Sequence, residues 1–212
     1  MIDIHVPHEK LYGVKEIFMH LFIITLGLLI ALSLEGLVEV EYHRHLAHEA
    51  EAGLRAEIAT NAKEMGHRRQ QIKDGQKQLE ADQKILAEMR AHPHPKRGLI
   101  SLGGGMETFD DMSWKTAQTT GAIAYMPYKD AQTFSDIYLQ QDWLSQVALQ
   151  LLEELTNSGS LLVSHPDDWV PSPAQIDIET DRIGRMQFRL LILSSGVDEL
   201  DKTYKKFESE HK

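Results

Sequence analysis

The chain contains no cysteine, which excludes disulfides and thiolate metal sites outright. It also lacks any surplus of basic residues. Lys and Arg number 22 against 32 Asp and Glu, a formal net charge of −10. A nucleic-acid partner would call for a basic patch, so this balance argues against one. No strong strand pattern, low-complexity segment or recognisable catalytic motif is present. Proline is missing from 8 to 92, so no turn signal breaks a very long stretch of chain.

What is present begins with residues 17–38, IFMHLFIITLGLLIALSLEGLV. A helix rises about 1.5 Å per residue and the hydrocarbon core is about 30 Å thick, so roughly 20 apolar residues suffice to cross it. Only His20 and Glu35 interrupt the run. A signal peptide would have a shorter apolar region and a small-residue cleavage site, whereas this run leads into Glu35-Gly36-Leu37-Val38-Glu39. The competing account is a buried helix of a soluble protein. Charge does not set the orientation, because Lys10 and Lys15 before the span are matched by Arg44 and Arg55 after it. The short N-terminal tail and long C-terminal domain favour a cytoplasmic N-terminus and a periplasmic domain at a bacterial inner membrane, since long domains translocate largely regardless of charge. Gly27, Ala31 and Glu35 are spaced by four and share one helical face. Small residues at that spacing allow close helix approach in lipid, and a carboxylate there prefers a partner to acyl chains. Glu35 lying at the headgroup boundary is the plainer alternative.

Around the span the chain divides into an interfacial arm (1–16), a membrane-proximal helix (39–91), a Pro/Gly hinge (92–105) and a helical bundle domain (106–212). In the arm, Pro7 between His5 and His8 speaks against a regular metal-binding helix, and the first helix is expected from about residue 9. Residues 39–91 are dense in strong helix formers, so the membrane helix is expected to continue outward as one rod. Ile58, Met65, Ile72, Leu79 and Leu86 recur every seventh residue. Their companions Asn61, Arg68, Gly75 and Asp82 are too polar for an isolated dimeric coiled coil, which predicts a narrow stripe packed within the domain. The hinge AHPHPKRGLISLGGG has a glycine run, but no strand precedes it and no Gly-Lys-Ser/Thr follows, so no phosphate loop is indicated.

A shorter helix is expected over about 107–124, ending before Pro127. The next is expected over about 128–156, with Phe134, Ile137, Gln141, Leu144, Ala148, Leu151 and Leu155 as its buried face. Asn157-Ser158-Gly159 is expected to end it. The last helix starts at Ser172-Pro173, an N-cap followed by a first-turn proline, and runs to about 208. Its stripe is Ile183, Met186, Leu190, Leu193, Val197, Leu200, Tyr204 and Phe207. The fold class is therefore all-α: an N-terminal transmembrane helix continuing into a long helix that packs in an antiparallel helical bundle.

The segments HLFIITLGLLIALSLEG, His43-Arg44-His45, LRAEIATNAKEM and WKTAQTTGAIAYM resemble a family of uncharacterised bacterial single-pass inner-membrane proteins. The resemblance covers about half the chain. It implies an inner-membrane anchor and a helical domain, and it brings no activity and no functional residues.

Histidine carries the candidate chemistry. Glu41, His45, His48 and Glu49 fall on nearly one helical face just beyond the span, a spacing that can chelate a divalent metal. With His43 they better suit a solvated cluster at headgroup level. His92 and His94 lie in the break, and His165 with Asp167 and Asp168 lacks a nucleophile or pocket. Trp114, Trp143 and Trp169 read as core or interface anchors. The leading functional reading is a structural or interaction subunit, not an enzyme, with the lipid bilayer as one partner and a second copy or other membrane subunits as another. The alternatives are a sensory or ligand-binding helical module, and a metal-binding protein using His43, His45 and His48.

Overall fold

The structure, a computed structural model, describes residues 13–93, 107–166 and 168–210, without the side chain of Leu162. Five α-helices and one 3-10 turn make up the described chain, with no strand among them. Helix α1 (Val14–Lys63) and α2 (Met65–Ala91) are separated only by Glu64. Its backbone stays right-handed at φ −79° and ψ −7°, and its carbonyl accepts the Arg68 N–H at 3.0 Å. The expected rod therefore forms. Its start is at Val14; an earlier start near residue 9, like most of the arm, lies outside the described residues.

The remaining helices are α3 (Met112–Thr119), α4 (Tyr128–Val163) and α5 (Pro173–Glu210). Helix α5 runs antiparallel to the rod. Asp177 near its start pairs with Arg90, Gln187 meets Gln83, and Asp198 accepts from Arg69 at 2.7 Å. Near its end, Phe207 lies 5.6 Å beneath the Arg55 guanidinium. Helix α4 is antiparallel to α5, fixed by Arg185 on Glu154 at 2.9 Å and Gln141 on Tyr204 at 2.9 Å. The antiparallel bundle expected from the apolar stripes is the observed fold.

The stripes are the core. All five heptad residues of the rod, all seven named on α4 and all eight named on α5 are buried. Each large aliphatic side chain taken fully from water contributes about 1.5–3 kcal/mol. Helix α5 starts as a capping box. The Ser172 N–H donates to Gln175 Oε1 at 2.8 Å while Ser172 Oγ accepts the Gln175 N–H.

Two helix limits differ from expectation. The stretch 107–124 is not one helix: α3 holds only its middle, and Gly121 at φ +74° turns the chain into the 3-10 turn Ala122–Tyr125. That left-handed conformation is one only glycine adopts without cost. Helix α4 does not stop at Asn157-Ser158-Gly159 but continues to Val163. Ser158 is fully buried there, so the helix carries its packed face past weak formers, tertiary contact outweighing propensity. Of the hinge, 94–105 lies outside the described residues.

Candidate functional site

The polar heptad positions of the rod do what an apolar seam could not: they hold the chain that returns alongside it. Asn61 is buried and pairs twice with the backbone of Asp110, Nδ2 donating at 2.8 Å and Oδ1 accepting at 3.1 Å. Arg68, also buried, donates to the carbonyls of Glu107 and Thr108. Its guanidinium sits 4.1 Å over the Phe109 ring, and burial lowers its pKa from the usual arginine value. About one turn further towards the N-terminus of α1 than Asn61, Glu57 Oε2 accepts the Ser113 N–H at 2.7 Å, and about five turns further the His43 ring stacks on Tyr125 at 3.7 Å with 10° between planes. Residues 107–125 thus descend the rod towards the apolar stretch of α1, and α4 climbs back.

Between the descending segment and α4 lies a cleft of about 540 Å³ lined by Phe109, Asp111, Trp114, Lys115, Tyr138 and Gln141, among others. The indole of Trp114 stacks on Tyr138 at 5.0 Å and 7°. The Tyr138 hydroxyl donates to Glu57 Oε1 at 2.6 Å. Burial, reinforced by that carboxylate, pushes the phenol well above its ordinary pKa of 10. Lys115 pairs with Asp111 at 2.8 Å, which raises its pKa. Gln141 is 2% exposed; its Nε2 donates to Tyr204, and its Oε1 has no partner among the described residues. Chemically, this is an aromatic wall with one ion pair and one unanswered amide oxygen. It is suited to holding a small polar molecule, and it contains no nucleophile paired with a base.

A more open hollow of about 740 Å³ lies between α4 and α5 beside Phe188. Its Arg185 and Arg189 are engaged by Glu154 at 2.9 and 3.3 Å, whose carboxyl is held below the usual range chiefly by the Arg185 bond.

The residues singled out in the sequence are placed differently. Of Glu41, His45, His48 and Glu49, the structure brings together His45 and Glu49, at 3.2 Å on the exposed face. Among the described residues no group of three or more His, Cys, Asp or Glu gathers to hold a metal. His43 instead turns inward to Tyr125, with Glu39 at 3.5 Å from Nε2. Gly27, Ala31 and Glu35 all lie on the exposed surface of α1, and a Cβ at Gly27 would meet nothing within 4 Å. His165 stacks on Trp169 at 4.0 Å, closing the α4–α5 turn. His92 ends α2; His94 and Asp167 lie outside the described residues.

Glu57 and Tyr138 were not legible as a pair, because 81 positions separate them. Gln141 did carry a signal, a lone amide in an otherwise apolar stripe. Among the described residues one helix, α1, is long and apolar enough to cross a membrane, and none of that apolar stretch is buried. No protein-family model, curated protein or solved structure matches the chain.

Proposed function

We propose that the chain is a membrane-anchored helical subunit with a structural or interaction role. In this reading α1 crosses a bacterial inner membrane once, as in the single-pass family the sequence resembles. The bundle stands on the periplasmic side, and the protein self-associates or joins an envelope complex. The observation that carries it is the continuity of α1. The same helix passes from an apolar stretch with no residue buried to Leu54 and Ile58, which are wholly buried. No linker separates the two, so a force or rotation on the bundle is transmitted to the span by backbone hydrogen bonds. An apolar surface of that extent on a soluble monomer would be far above the few hundred Å² such proteins expose.

Alkaline carbonate extraction and reporters fused after Arg55 and at Lys212 test this reading. Retention in the membrane, with both reporters periplasmic, is the expected result. Extraction by carbonate would remove the anchor; two cytoplasmic reporters would reverse the orientation alone.

The buried, unpartnered Oε1 of Gln141, a residue that lines the cleft beside Trp114, favours a second reading, a ligand-binding module. Native mass spectrometry of the purified protein tests it: a small molecule that is retained by wild type and lost from Gln141→Leu is the expected signature.

A further inference from the structure

We infer that the turn formed by residues 116–128 is a second membrane contact, with Tyr125 and Tyr128 seated in the lipid headgroup layer beside the emerging helix. This rests on the membrane reading above. The first observation is depth. The span ends at Val38, and His43 lies five residues further, about 7.5 Å along the axis at about 1.5 Å per residue. Headgroups occupy about 5–8 Å on each side of the hydrocarbon. The Tyr125 ring lies 3.7 Å from the His43 ring, so it is fixed at that same level. The descending segment and α4 meet at this turn, which makes it the part of the bundle closest to the bilayer.

The second observation is chemistry. One residue in four of the chain is charged, yet 116–128, TAQTTGAIAYMPY, contains no Asp, Glu, Lys, Arg or His. The stretch is not charge-free because it is core. Tyr128 is 82% and Tyr125 48% exposed, and Thr119, Thr120, Ala124 and Pro127 are exposed as well. On a face turned to bulk water nothing would select against charge there. A layer half apolar and half wet selects tyrosine in particular, whose ring is apolar and whose hydroxyl is not. Tyr42 on α1, also exposed, completes the girdle. The occupant is the neutral interface itself: the turn offers no cation of its own, and Lys129 is followed at once by Asp130.

The absence of cysteine permits single nitroxide labels on the full-length protein in bilayers. Labels go at Leu29→Cys in the span, at Ala124→Cys in the turn and at Phe188→Cys on the far half of the bundle. The expected result is oxygen-rich relaxation at position 29 and free access of a water-soluble nickel chelate at position 188. At position 124, nickel access should be several-fold lower than at 188, and unchanged when anionic lipid is replaced by zwitterionic lipid. Equal nickel access at 124 and 188, with position 29 still in lipid, would overturn the contact and leave the span standing. A water-exposed label at 29 would overturn both. Dependence of the shielding on anionic lipid would overturn the neutral-interface assignment.

Discussion

Tyr138 on α4 donates its hydroxyl to Glu57 on α1 at 2.6 Å, and the other oxygen of that carboxylate takes the Ser113 N–H at the head of α3. One half-buried side chain therefore clasps three elements where the bundle meets the rod. Tyr138→Phe keeps the ring stacked on Trp114 but strips one partner from Glu57. A lost hydrogen bond to a charged group costs about 1.5–3 kcal/mol, so urea unfolding should shift by that order. A change under about 0.5 kcal/mol would mean water replaces the phenol.

The same pair fixes an alkaline limit. Burial raises the Tyr138 and Tyr204 pKa values above the model-peptide value of 10.0. A raised phenol pKa means the folded state holds its proton longer than the unfolded state. The stability is therefore complete below about pH 10 and is lost as pH rises beyond it. In an absorbance titration at alkaline pH, these two tyrosines should ionise only together with unfolding. Smooth ionisation of all six tyrosines before the helical signal falls would contradict this.

Two glycines of α5 should respond with opposite sign. At Gly196 a Cβ would stand 2.4 Å from Leu144 Cδ2 and 3.1 Å from the Trp143 ring; at Gly184 it would meet nothing within 4 Å. Helix propensity favours alanine by about 1 kcal/mol at either site. At Gly196 the side chain of Leu144, itself buried, and the Trp143 ring must shift, and overpacking costs about 1–3 kcal/mol. Gly196→Ala should lower the thermal midpoint and Gly184→Ala should raise it. Stabilisation by both would show that α4 and α5 are less tightly fitted than the packing implies.

The glycine contrast separates what sequence displays from what it hides. Spacings of three, four and seven marked Leu144, Leu190 and every other stripe residue as core, because a helix maps periodicity directly onto a face. Which neighbour a face meets is not written in spacing, so the closeness of Gly196 to Leu144 was invisible. The same holds for Asn61 and Arg68. They read as flaws in a heptad, and they are buried where carbonyls about 40 or more residues away accept their N–H groups. His43 stood in a histidine cluster, and the partner it stacks on, Tyr125, arrives from a distant turn that spacing does not reveal.

Asp82 is a buried polar heptad residue left only half answered. Gln78 donates to Oδ1 at 3.0 Å, while Oδ2 has no partner among the described residues. Burial raises its pKa above 3.8, opposed by the Gln78 amide. The folded state thus binds the proton more tightly, and stability falls as pH rises from about 4 through the raised value. Asp82→Asn removes the carboxyl whose ionisation burial opposes. It should stabilise the protein at pH 7, and the gain should shrink as pH falls towards 4. A variant equally destabilised at both pH values would mean that an unseen donor satisfies the carboxylate.

The last test concerns the exposed face of the apolar stretch of α1. Gly27 has open space where a Cβ would stand, and Ala31 and Glu35 follow it at intervals of four, all uncovered within one chain. If a second copy or another subunit packs there, the small residues set how closely two backbones approach, and Glu35 finds a polar partner that acyl chains cannot offer. Gly27→Ile keeps the segment apolar, so insertion should be unchanged, but it fills the contact and should force the helices apart. Glu35→Gln should weaken assembly less, because the amide still hydrogen-bonds across the contact. Native mass in mild detergent should show Gly27→Ile reduced to smaller species and Glu35→Gln only partly so. If wild type and Gly27→Ile give the same mass, assembly does not run through this face, and Glu35 is a boundary residue facing the headgroups.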